Sequence, residues 1–188
     1  MIKIKIRSVI YMSQFFRSTL VVIVVLLTSE LVAEDQQPID ISRDWSTFDC
    51  YIVSGAIEML AFKNGEKLSK VSRDKGRLYV QKNNDDSGQV AGTYFAGFPL
   101  KTASQALLSI DGKDSFVLYS HPDPDPKKSN EKSYAWSHPK DDKKLMAALK
   151  KGSKAVVESN SHTGKVIKDT FALTGFTSAY NLMLKTCN

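Results

Sequence analysis

Two cysteines, three histidines, a few paired acids and a cluster of lysines are the residues of this 188-residue chain that could do chemistry. Cys50 and Cys187 stand near the two ends of the polar part of the chain. In an oxidising compartment an even cysteine count favours a disulfide. The loop it closes is long, and in the chain-entropy picture such a cross-link is worth on the order of 4–5 kcal/mol. The alternative is a reactive thiol. That needs a neighbouring base, and neither cysteine has a histidine beside it in sequence. His121, His138 and His162 each sit in a polar stretch next to Pro or Thr, without helical ligand spacing. Folding could gather His121, Asp123 and Asp125 around a metal, but a solvated proline loop is the plainer reading. Asp85 and Asp86 resemble part of a calcium loop that lacks its closing glutamate. Asp141 and Asp142 suit the positive end of a helix better than an acid pair for catalysis. No nucleophile elbow, zinc-protease motif or phosphate loop is present. No catalytic, cofactor-binding or metal-binding residue is therefore assigned, and no cofactor is expected.

Lysines form the most suggestive surface. Lys143, Lys144, Lys150 and Lys151 fall on and just after one short helix, with Lys154 following. Their spacings are read as a broad basic end covering more than half of the helix circumference. Such an end could touch an anionic lipid surface or an acidic partner, although a solvated helix face is the commoner role.

The segment that positions the whole chain in the cell is its start. Lys3, Lys5, Arg7 and Arg17 precede an unbroken apolar run, Leu20 to Leu27, and Leu31-Val32-Ala33 leads into a polar exit. This is the pattern of a signal peptide over residues 1–33, with Met12 an alternative start. A membrane anchor needs about 20 apolar residues, and Glu30 interrupts this run early. The leader holds four basic residues and one acid, so the rest carries 22 basic against 19 acidic residues. That balance gives no argument for nucleic acid. The expected location is the periplasm or cell envelope, with membrane contact peripheral at most after cleavage.

Residues 34–44 read as a linker and residues 45–188 as a single β-rich domain. Trp45 to Ile52 alternates as one strand; Ala56 to Phe62 is a second apolar run, closed by an Asn64-Gly65 turn. Further strands are expected at Arg77–Gln81, Gln89–Tyr94, Ser133–Ser137, Lys154–Glu158 and Val166–Leu173. Ala106–Ile110 and Ser115–Ser120 make a hairpin over Asp111-Gly112. His121 to Lys132, with three prolines, reads as an exposed, mobile loop. Asp141 is expected to cap a short helix that Gly152 stops. A second helix, about Thr177 to Thr186, puts Phe176, Tyr180, Met183 and Cys187 on one face. About eight strands and two short helices, one carboxy-terminal, make a mainly β fold: a small sandwich or a partly closed barrel.

Several of these pieces together resemble the invasion-associated locus B family of exported bacterial envelope proteins. They are Gly97-Phe98-Pro99-Leu100-Lys101, Ile110-Asp111-Gly112, Ala135-Trp136, the Leu145–Gly152 helix and Ser159-Asn160-Ser161. The stretch Asp169 to Tyr180 with the closing Cys187 is the most specific, and Trp45 and Cys50 stand where the family has an early Trp and Cys. The resemblance implies an envelope location in a Gram-negative bacterium. It also links some members to host-cell invasion and supplies no catalytic residues. With no catalytic motif in the chain, the leading function is a non-enzymatic binding or structural role in the envelope. The expected partner is an envelope or host-surface protein or an anionic lipid. The rival function is a periplasmic hydrolase or metal-dependent enzyme whose site is assembled from distant loops.

Overall fold

The computed structural model describes residues 37–83, 88–125, 127–128 and 131–187. The leader with Met12, and the Asp85-Asp86 pair, lie outside the described residues. The chain runs β1 (Asp40–Ser42), β2 (Trp45–Thr47), β3 (Tyr51–Gly55), β4 (Glu58–Lys63), β5 (Glu66–Lys67), β6 (Arg77–Lys82) and β7 (Val90–Phe95). It continues with β8 (Gln105–Ile110), β9 (Asp114–Ser120), a 3-10 turn (Glu131–Ser133), β10 (Tyr134–Ser137), α1 (Pro139–Lys151), β11 (Lys154–Asn160), β12 (Val166–Ala172) and α2 (Phe176–Thr186). The fold is mainly β, as the alternating patterns require. Twelve strands replace the expected count of about eight; β1, β2 and β5, of two or three residues, are too short to announce themselves by alternation.

All strands pair antiparallel in one sheet of order β1-β2-β3-β6-β7-β10-β9-β8-β11-β12-β4-β5. The ladder is not closed into a ring. Its two arms nevertheless meet in one stretch of chain, because only Ala56 and Ile57 separate β3 from β4. β3 pairs with β6, whereas β4 pairs with β12. At the bend the Ala56 N–H donates to Gly76 O at 2.8 Å, and the next N–H, that of Ile57, donates to Thr170 O at 2.8 Å. Consecutive amides thus feed opposite arms, and the sheet curls around its own inner face. That inner face carries Ile52, Leu78, Val80, Tyr94, Leu108, Leu118, Val157 and Phe171, in one core with Leu145 and Leu149 of α1 and Phe176 and Met183 of α2. Each such side chain contributes roughly 1.5–3 kcal/mol on burial.

Local chemistry sets the corners. Asn64 and Gly65 both take positive φ (53° and 86°), as a two-residue hairpin turn demands. Trp45 to Ile52 is not one strand: it folds back on itself between β2 and β3, and the Phe48 N–H donates to Tyr51 O at 2.8 Å. α1 starts earlier than expected. His138, not Asp141, is its N-cap, its Nδ1 accepting from Lys140 N at 3.2 Å. Pro139 follows at the first helical position, where no N–H is needed. Gly152 ends α1 as expected, its N–H on Ala148 O. Gly175 opens α2 at φ 90°, where an added Cβ would lie 1.9 Å from Ser42 O. Only glycine fits there.

Cys50 and Cys187 are joined by a disulfide, so the thiol alternative falls away. The bond fixes the end of α2 to the start of β3. Thr186 Oγ1 to Asp49 O (3.0 Å) and Lys82 Nζ to Cys187 O (2.6 Å) hold the same corner.

Candidate binding groove

The alternation that buries one face of β3, β6, β7 and β10 turns aromatic rings outward on the other. Tyr51 precedes buried Ile52; Tyr79 lies between buried Leu78 and Val80; Tyr134 and Trp136 flank buried Ala135. Register then aligns them across the strands. Tyr51 pairs with Gln81, Tyr79 with Thr93, and Thr93 with Trp136. The rings follow one another at 6.3 Å (Tyr51–Tyr79), 6.5 Å (Tyr79–Tyr134) and 6.0 Å (Tyr134–Trp136). Phe48 stacks on Tyr51 at 4.6 Å and extends the row at one end. His121 meets Trp136 edge-on at 6.3 Å at the other.

Tyr51, Tyr79, Tyr134 and Trp136 line a groove of about 610 Å³, with Gln81 and Thr93 also in its lining. Lys127, Lys128 and Glu131 close it on one side. Burial, then the neighbouring Tyr79, pushes the Tyr51 and Tyr134 phenols up from their usual range. Both are therefore neutral hydrogen-bond donors at physiological pH. Glu131 is lowered, first by the Asp125 N–H on its Oε2 (3.1 Å) and then by Lys128 at 3.1 Å. Its carboxylate is committed to ordering the loop. This segment, expected to be mobile, is tied down in its described part by these bonds and by the Lys127 N–H on Asp125 Oδ1.

The histidines serve separate ends. His121 Nδ1 accepts from Asp123 N at 3.1 Å, His138 caps α1, and His162 Nδ1 lies 3.1 Å from Pro99 O. No cluster of metal-ligating side chains occurs among the described residues. Asp142 is buried and accepts from Ser137 Oγ and from Gln89 Nε2 at 3.1 Å. It is a polar tie between α1 and the sheet.

The four lysines of α1 do not spread over more than half the helix. Residues seven apart nearly superimpose, drifting about 20°. Lys143 and Lys150 therefore share one stripe and Lys144 and Lys151 its neighbour. Lys143 and Lys150 border a pocket with Tyr180, and Lys150 Nζ sits 3.9 Å over that ring. Lys144 and Lys151 flank Asp114 to Phe116. None of the four is in an ion pair among the described residues.

Sequence reasoning missed a second polar centre. Arg73, in the irregular segment between β5 and β6, grips Asp169 of β12 with both guanidinium arms, one at 2.9 Å. The Tyr94 hydroxyl donates to the same carboxylate at 2.7 Å. Arg73 also donates to Ala96 O at 2.8 Å and lies over the Phe98 ring.

The family model for the Invasion associated locus B (IalB) protein matches residues 69–184. The chain belongs to the invasion associated locus B family. The matched span includes Arg73, Asp169 and, of the groove, Tyr79, Thr93, Tyr134 and Trp136, while Tyr51 and both cysteines lie outside it. The structure is similar to that of invasion associated protein B from Bartonella henselae. The TM-score is 0.45 and the identity 15%, over 75% of this chain and 96% of that one. No curated protein matches the chain.

Proposed function

We propose that this family member is a non-catalytic binding protein of the Gram-negative envelope, exported to the periplasm or cell surface, and that the aromatic groove is its ligand site. The carrying observation is the row of outward rings across β3, β6 and β10. Side chains so apolar are placed on a solvent face of a sheet where they form a recognition surface. Among the described residues, the one carboxylate lining the groove, Glu131, is already held by an amide and a lysine. That favours binding over acid–base chemistry, the rival hydrolase reading. The Cys50–Cys187 bond suits an oxidising compartment. A role in host-cell interaction is compatible with a ligand site open to the outside.

A second contact is favoured by the exposed lysine stripes of α1, in no ion pair among the described residues, which suit a peripheral anionic lipid surface. For the groove, the test is sedimentation with isolated envelope membranes. Tyr79→Ala/Trp136→Ala should stay in the supernatant while wild type pellets, with both proteins folded. Equal pelleting of the two would remove the groove as the binding surface.

A further inference from the structure

We propose that the groove takes a short acidic saccharide, sugar rings lying on the aromatic row and a carboxylate or phosphate substituent meeting Lys127. This rests on the groove being the ligand site. Four observations narrow its occupant. The row is long: Tyr51 to Trp136 crosses three inter-strand steps, roughly 14 Å, and its rings are tilted by 49° and 50° before Tyr134 and Trp136 stack, which suits an extended chain of ring units set at angles to one another. Its faces are aromatic but its edges are polar, with neutral tyrosine hydroxyls beside Gln81 and Thr93. A sugar presents that combination, with C–H bonds on its ring faces and hydroxyls around its rim. The floor consists of interior strands, each paired on both sides. A peptide therefore has no strand edge to extend there, and the main-chain bonds of β-augmentation are unavailable. Lastly, among the described residues the lining bears Lys127 and Lys128 against Glu131 alone. Lys128 is paired with Glu131, whereas Lys127 has no ion pair among the described residues. An unneutralised cation at the rim selects an anionic substituent.

Trp136 supplies the readout, because the only other tryptophan, Trp45, is 0% exposed in the core. The probes are a deacylated lipopolysaccharide core oligosaccharide, a chondroitin hexasaccharide and neutral maltohexaose. They are titrated into the full-length mature protein while tryptophan emission is followed. An emission change with at least one acidic probe, about tenfold weaker in Tyr79→Ala and in Lys127→Gln/Lys128→Gln, is expected. The lysine variant should also lose most of the salt dependence. The acidic probe that binds distinguishes an envelope source from a host one. Tyr134→Phe, which keeps the ring, guards against misfolding of the alanine variant and should bind within a few-fold of wild type. Equal binding of maltohexaose would overturn the anionic part of the proposal. Absence of binding by all three probes would overturn the saccharide, and if Tyr79→Ala/Trp136→Ala still loses envelope sedimentation the groove reading survives. Unchanged sedimentation of that variant would sink both.

Discussion

Arg73 and Asp169, 96 residues apart in sequence, form an ion pair sealed from solvent, with side chains 2% and 0% exposed. The pair pins the irregular segment before β6 against β12, the last strand in chain order. Gly76 is part of the same device, since a Cβ there would lie 2.2 Å from Asp169 Oδ2. Removing one partner leaves an uncompensated buried charge, which costs about 3–5 kcal/mol. Arg73→Met should lose that much in urea unfolding, and Arg73→Met/Asp169→Leu should recover part of it. A loss below 1 kcal/mol for Arg73→Met would mean the carboxylate is solvated.

The disulfide carries a separate prediction. Cys187→Ser, or reduction of the native protein, should cost about 2–5 kcal/mol. It should release the carboxy-terminal turn of α2 first, because Cys187 directly follows that turn, whereas Phe176 at the other end of the helix stays packed on Trp45, 4.9 Å away. Mass spectrometry of unreduced protein should show one cross-linked peptide pair. Two alkylatable thiols in native protein would contradict the bond.

Alkaline stability should follow Tyr94. Burial first, and the charge of Asp169 second, hold its phenol well above the ordinary value near 10. As pH rises through 10 the unfolded chain loses this proton and the folded chain keeps it, so stability falls with pH. Tyr51, Tyr134 and Tyr180 are shifted the same way. Tyr94→Phe should therefore lessen the fall above pH 10 without abolishing it. At pH 7 it should cost about 1.5–3 kcal/mol for the lost bond to the carboxylate. Urea midpoints at pH 7, 9 and 10.5 decide this, and identical slopes for the two proteins would contradict it.

If the stripes of α1 touch anionic lipid, Lys143, Lys144, Lys150 and Lys151 replaced together by Gln should abolish low-salt binding to anionic vesicles. Stability should change little, because all four lysines are exposed. Binding by the wild type should fade as ionic strength passes 0.1 M, where screening acts within about 10 Å. Wild type that ignores such vesicles at low salt would return these lysines to a solvation role.

Much of this fold was legible because its signals are local. Asn64-Gly65 and Asp111-Gly112 mark turns by their backbone needs, and Phe176, Tyr180, Met183 and Cys187 mark a helix face by spacing. The hairpin inside Trp45–Ile52 was not legible, since alternation runs through it without a Gly or Pro break. Arg73 sits in a segment with no periodicity, and Asp169 occupies an inward strand position that pattern alone assigns to an apolar residue. The groove left a readable trace in Arg77–Gln81 and Ser133–Ser137, where rings take the positions opposite core residues. Its assembly from four strands was hidden, because the order β3-β6-β7-β10 is set by long-range pairing.

Acrylamide quenching of Trp136 in protein bound to envelope membranes tests the groove most directly. Trp45, buried beneath α2, contributes a constant background. The account predicts that bound protein is markedly less quenched than free protein, and that Tyr79→Ala loses this protection together with its binding. Protein that is bound yet quenched as readily as in free solution would show that the aromatic groove faces water in the complex and is not the ligand site.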